Sequence, residues 1–192
     1  HVVGHGVSSE FANLYDTAND PFVLHISKYS PRKNPKAIVA LAEQIEYPLV
    51  VVGSGWEDQI GDVASSVPNL DIRGYVEMDE LVRLYNQASI FYFPSRFEGF
   101  GMPILESLAC GTVVLTTPRT AAPDLNSNAV FLSDPDDTNQ HASIVNRILS
   151  DDDKREQLEM EAIQAGEKFT WEFTARKTVE VYQSVLTQSQ GR

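Results

Sequence analysis

Six short apolar runs punctuate this chain: FVLHIS (22–27), LVVVGS (49–54), NLDIRG (69–74), SIFYFP (89–94), TVVLTT (112–117) and AVFLSD (129–134). They are rich in β-branched and aromatic side chains, which suit a pleated surface, so each predicts a strand. Helical spacing of apolar positions fills the intervals and the C-terminal part, at roughly 34–45, 56–65, 78–87, 102–109, 138–149, 152–168 and 171–187. Asp79-Glu80 and Asp151-Asp152-Asp153 fall at two predicted helix starts, the sign of charge that a helix N-terminus favours. The strand runs are nearly continuous rather than alternating, which requires cover on both faces of the sheet. The expected fold is therefore α/β: a Rossmann-like, doubly wound parallel sheet of about six strands with helices on both faces. Residues 1–20 read as an edge strand and linker, and 21–192 as the domain itself.

Composition narrows the function. With 42% hydrophobic and 22% charged residues, the chain has enough apolar surface for one core, and no run approaches the length of a membrane span. Its single cysteine, Cys110 in LESLACG, cannot form an internal disulfide and reads as a small buried helix residue; this suits a reducing, cytoplasmic setting. The net charge of −12 argues against nucleic acid or an anionic membrane as the main partner. Against that acidic background, Lys28, Arg32, Lys33 and Lys36 gather four of the 15 basic residues into one short segment. Such a cluster either holds an anion or is a solvated helix start.

In a doubly wound sheet, ligands bind outside the carboxyl ends of the strands. The loops leaving those ends are SKYSPRKN (27–34), GSGWED (53–58), GYVEMD (74–79), PSRFEGFGMP (94–103) and TPRTAAPD (117–124). The fourth is the richest in chemistry. Gly99 and Gly101 let backbone approach a ligand and present N–H groups ahead of a helix whose early Pro103 suits the first turn, the make-up of a phosphate or sugar-hydroxyl cradle. Glu106, about one turn into that helix, could accept hydrogen bonds from a ribose cis-diol, while Glu98 in the loop would reach another part of the ligand. Taken singly, two glutamates are more ordinarily a solvated loop acid and a surface helix acid. GSGWED follows a strand as a dinucleotide loop does, but Asp58 stands where helix–strand packing needs a small residue, which disfavours an NAD-dependent dehydrogenase. Asp134 and Asp136 follow the sixth strand without a convergent partner. His25, Trp171 and Tyr182 read as packing residues.

The run PSRFEGFGMPILESLACGTVVLTT resembles the E-x7-E signature of the large retaining glycosyltransferase family 4, whose members have the GT-B architecture of two facing Rossmann-like domains. The likeness extends over most of the chain: HISKYSPRKN resembles the family's strand and Gly-Arg-x-x-x-x-Lys loop, RGYVEMDELVRLYNQASIFYFPS the approach to the signature, and KFTWEFTARKTVEVYQSVL the terminal helix. HVVGHGVSSEF resembles the end of the first domain, so the chain looks like the C-terminal, donor-binding half, with residues 1–20 leading in from a missing N-terminal domain.

The resemblance implies a hexosyltransferase that moves a sugar from a nucleotide-sugar donor to a hydroxyl acceptor with retained configuration, using no metal or other cofactor. Its partners would be that donor and the missing domain, and the isolated half would be inactive. The enzyme would be cytoplasmic, with peripheral membrane attachment through the missing domain left open. By the same resemblance Glu106 holds the ribose hydroxyls, and Glu98 is the catalytic-site acid at the donor sugar. Gly99, Phe100 and Gly101 line the sugar and phosphates, and Lys33 and Lys28 face the diphosphate. Tyr75 and Val76 lie near the base, with a core role equally open. Lys28 stands where the family usually has arginine, keeping the charge without the bidentate fork. On these roles Glu98→Gln leaves diphosphate affinity within about threefold. A non-catalytic nucleotide-binding module is the remaining alternative.

Overall fold

Strands β1 (Val23–Ile26), β2 (Leu49–Val52), β3 (Leu70–Arg73), β4 (Ile90–Phe93), β5 (Val113–Thr116) and β6 (Val130–Leu132) form one all-parallel sheet in the order β3-β2-β1-β4-β5-β6. The structure is a computed structural model that describes residues 4–14 and 20–190. Each strand falls inside one of the six apolar runs. Strands β2, β4 and β5 are buried throughout, which is why their sequences are continuously apolar. Edge strand β3 instead turns Asp71 and Arg73 outward, where they pair at 2.8 Å.

Helices α1 (Pro35–Ala42), α2 (Trp56–Ala64), α3 (Met78–Gln87), α4 (Met102–Ala109), α5 (Thr138–Leu149) and α6 (Asp152–Gly166) cover the two faces, and α7 (Trp171–Gln190) follows. Successive strand residues point to opposite layers. Val23, Val51, Tyr92 and Leu115 pack with Ile38, Leu41, Trp56, Val145 and Ile148. Leu24, Val50, Phe91 and Val114 pack with Tyr85, Ile104, Leu105 and Leu108 on the other side. Carboxylates of Asp137 and Asp151 accept hydrogen bonds from Gln140 N and Lys154 N, both at 3.0 Å, capping α5 and α6.

Three local expectations change. The helix expected at 34–45 is shorter: it forms as α1 over Pro35–Ala42, and a 3-10 turn, Pro31–Lys33, precedes it, joined through Asn34 in the left-handed region at φ 58. Pro35 disfavours helical backbone at the residue before it, and the buried Asn34 amide donates to Pro135 O at 2.7 Å. The edge strand expected in 1–20 is absent from described residues 4–14, where Val7 forms a single bridge with Thr170. Gly6 there lies so close to the start of α7 that a Cβ would sit 2.4 Å from Trp171 N, and Phe11 packs edge-on to Tyr85. The segment thus joins the helical layer instead of the sheet; residues 1–3 and 15–19 lie outside the described residues. Finally, Trp171 and Tyr182 are 51% and 66% exposed, not packed, because both core layers are completed by α1–α6 and contain no residue of α7. No helix among the described residues is long and apolar enough to cross a membrane.

Candidate functional site

Sheet order reverses between β1 and β4, which opens a crevice above their carboxyl ends. His25, the third residue of β1, is fully buried there. Its Nδ1 lies 2.8 Å from Tyr92 O, a carbonyl that can only accept, so Nδ1 carries the proton and Nε2 accepts from Ser27 Oγ at 2.8 Å. Burial lowers its pKa to about 4, so it stays neutral as a packed ring, as its strand position predicts.

Beyond Ser27 the chain is pinned from the neighbouring loop. The Trp56 indole donates to Ser27 O at 2.7 Å, Tyr29 N donates to Ser54 O at 2.9 Å, and a Cβ at Gly53 (φ +131) would collide with Ser27 O at 2.1 Å. The glycine at 53 therefore serves the close packing of one loop on the other.

The 3-10 turn sends consecutive cations to one acid. The Lys33 ammonium is 2.7 Å from Glu98 Oε1 and 4.3 Å from the centroid of the Phe93 ring. The Arg32 guanidinium donates to Glu98 Oε2 and, at 3.0 Å, to Phe97 O. Glu98 N donates to Arg119 O at 3.0 Å, so the loops following β1, β4 and β5 meet at this residue. Burial alone would raise the pKa of Glu98, but hydrogen bonds from Lys33 and Arg32 outweigh it and hold the carboxyl below its usual value. Burial also lowers Lys33, with Glu98 opposing.

Glu106 occupies a different environment on α4. Its Oε2 accepts the hydroxyl of fully buried Tyr85 at 3.0 Å, and burial raises its pKa against that hydrogen bond. Ahead of it, Gly101 takes φ +94 as the α4 N-cap, a conformation that suits glycine. A Cβ at Gly99 would meet nothing within 4 Å, so this glycine borders open space. The Phe100 ring lies 4.4 Å from that of His5, edge to face, and Phe100 O accepts from Ala121 N at 3.1 Å.

Of the sequence-predicted residues, Lys33 and Glu98 come together, and Gly99, Phe100 and Gly101 connect Glu98 to the start of α4. Lys28 is exposed and enters neither cluster. Tyr75 is 76% exposed, whereas Val76 packs against the second core layer. Sequence reasoning noted Arg32 only as one of a group of cations, and missed Tyr85, whose role depends on a contact that its local sequence does not signal.

A cavity of about 400 Å³ adjoins the cation loop, bounded by Lys28, Ser30, Arg32 and Lys33 on one side and Pro103 of α4 on the other. Its lining suits an anion. A larger one of about 590 Å³ beside α2 is lined by Glu57, Asp58, Asp62 and Asp71 and would repel one. Among the described residues, no group of three or more His, Cys, Asp or Glu is placed to hold a metal ion.

The family described as "Glycosyl transferases group 1" matches residues 9–165. O-antigen chain mannosyltransferase B of Escherichia coli is 30% identical over 179 residues, covering 88% of this chain and 47% of that protein. Among solved structures, sucrose-phosphate synthase from Thermosynechococcus elongatus superposes with TM-score 0.84 at 22% identity, over 98% of this chain and 53% of that one. HepE of Anabaena, in complex with UDP-glucose, gives 0.74 at 22% identity, over 86% and 49%. The two superpositions concern the fold; the chain spans less than half the length of the mannosyltransferase relative.

Proposed function

This chain belongs to the group 1 glycosyltransferases, and from that premise we propose that it is the nucleotide-sugar-binding half of an enzyme that transfers a hexosyl unit to a hydroxyl acceptor with retention of configuration. The observation that carries the reading is the meeting of Lys33, Arg32 and Glu98 beside the N-terminus of α4, at the point where the sheet order reverses. There a diphosphate meets cations beside a helix N-terminus, an environment that stabilises the negative charge growing on the leaving group as the glycosidic bond breaks.

In this reading Lys33 neutralises the diphosphate. Glu106, with Oε2 held by Tyr85, offers its other oxygen to the ribose hydroxyls. Glu98 and the backbone of Gly99, Phe100 and Gly101 face the transferred sugar. Exposed Tyr75 borders the base, and the core contact of Val76 gives it a supporting part. Lys28 contributes long-range charge. Charge stabilisation comes from side chains and amides, with no cofactor assigned. The acceptor wall belongs to a further domain, in keeping with the greater length of the relatives.

Titrating this chain with UDP, GDP and ADP and their glucose and mannose derivatives tests the reading. One nucleoside diphosphate should bind, with only trace transfer, since a cleft with one wall neither excludes water nor positions an acceptor. No binding across the panel, or robust turnover by this chain alone, overturns it.

A further inference from the structure

Glu98, Arg32 and Lys33 lie closer together than separate sugar and phosphate roles require. Each oxygen of Glu98 takes one cation, Oε2 from Arg32 and Oε1 from Lys33, and the carboxylate side chain is only 10% exposed. Both cations also line the 400 Å³ cavity, whereas Glu98 does not. An anion entering that cavity therefore meets the open side of cations whose other side is engaged by a carboxylate.

Building on the donor-site reading, we propose that Glu98 is a built-in counter-anion: in the free protein it occupies Arg32 and Lys33, which the incoming diphosphate takes over, making Arg32 a second diphosphate-holding residue.

Donor capacity supports the exchange. An ammonium has three N–H groups and a guanidinium five, so pairing with Glu98 leaves donors on both. Ser30 Oγ, a further hydroxyl on this cavity, is buried without a hydrogen-bond partner among the described residues. Lys28, the other cation on the cavity wall, is exposed and lacks the convergence that places Arg32 and Lys33 side by side.

Electrostatics sets the direction. A diphosphate carries more negative charge than one carboxylate and can use the guanidinium fork, so it draws the cations away from Glu98. The two anions repel each other at close range, which turns the released carboxylate toward the neighbouring sugar position beside Gly99. Occupation of the phosphate site thus frees the sugar-contacting acid. It also revises the expectation that Glu98→Gln leaves diphosphate affinity within about threefold, because removing the charge removes a competitor.

The test is calorimetric titration of inorganic pyrophosphate and UDP into the wild-type chain, Glu98→Gln, Arg32→Gln and the double variant, with circular dichroism to verify folding. Pyrophosphate probes the site whatever base it prefers. Glu98→Gln should bind it about tenfold more tightly than wild type, and adding Arg32→Gln to that background should cost about tenfold. If Arg32 only tethers Glu98, its loss from the Glu98→Gln background changes nothing, which overturns the inference, as does equal or weaker binding by Glu98→Gln. Should the variants fail to fold, the side-chain carboxyl carbon resonance of Glu98 in wild type decides: it should shift as pyrophosphate saturates, and an unchanged resonance at saturation overturns the exchange. Pyrophosphate binding without these differences leaves the donor-site reading standing; absence of binding by every protein tested removes both.

Discussion

Tyr85 and Glu106, 21 residues apart in the chain, are joined by a hydrogen bond of 3.0 Å from the phenol to Oε2. The phenol ring has no exposure and is braced by Phe11 and Phe91, with centroids at 5.8 and 5.5 Å, while Thr112 Oγ1 donates to the Tyr85 carbonyl. One oxygen of the carboxylate is therefore fixed from within the core, and in the proposed reading the other meets the ribose.

Removing that hydroxyl should loosen ribose recognition without touching the phosphate site. With UDP standing here and below for whichever nucleoside diphosphate the panel selects, Tyr85→Phe is expected to lower its affinity roughly tenfold while changing pyrophosphate affinity less than about twofold. Calorimetry with UDP and 2′-deoxy-UDP checks the origin: the preference for the ribonucleotide should shrink. An undiminished preference would show that Tyr85 serves packing alone.

Glu106→Gln should cost about 1.5–3 kcal/mol with UDP and far less with the 2′-deoxy form. The pH response has a definite sign. Because burial raises the Glu106 pKa, the folded protein takes up this proton more readily than an ordinary glutamate, and ribose-dependent affinity should fall as pH drops through that raised value. For folding the sign is opposite: the ionised form costs stability above the raised pKa, and acidification relieves that cost. A UDP titration series from neutral to acid pH that shows loss only at ordinary glutamate values would contradict the assignment.

The two lysines of the loop should separate. Lys33→Ala is expected to weaken diphosphate binding at least tenfold and leave uridine binding nearly unchanged, whereas Lys28→Ala, at an exposed position, should weaken diphosphate by no more than about threefold. Equal losses for uridine and UDP on Lys33→Ala would remove the phosphate role.

His25 should make folding sensitive to acid. Its pKa of about 4 lies below the unfolded value near 6.5, so the unfolded chain binds this proton first, and stability falls as pH drops between those values by about 3 kcal/mol. Urea denaturation of wild type against His25→Gln over that range checks this; the variant should lack this part of the slope.

The two loop glycines should differ in kind. Gly101 has φ +94, and Gly101→Ala should destabilise by about 1–2 kcal/mol in chemical denaturation. Gly99→Ala meets open space, so stability should hold while its methyl narrows the proposed ligand path and reduces affinity for the sugar-bearing donor.

The sequence by itself determined the six strands, the alternation with helices and the cover on both sheet faces, because periodicity and side-chain shape are local quantities that each segment carries alone. Helix α5 occupies Thr138–Leu149, the range its apolar spacing predicts, with Asp137 as the cap before it. The motif placed Glu98, Gly99, Gly101 and Glu106 along one loop and helix. Only the tertiary structure decided the partnerships. Arg32 and Lys33 reach Glu98 across 66 and 65 residues, and nothing local distinguishes Arg32 from Lys28 until the 3-10 turn directs consecutive side chains to that acid. Tyr85 carries the local signature of a core residue; its second role appears when α3 and α4 pack together and bring its one polar atom to Glu106. The segment around Val7 carried strand-like residues, yet the close approach of Gly6 to Trp171 holds it against the start of α7 and not along a sheet edge. Which charges neutralise one another, and which edges are paired, depend on distances between remote segments, and those are fixed only when the layers close.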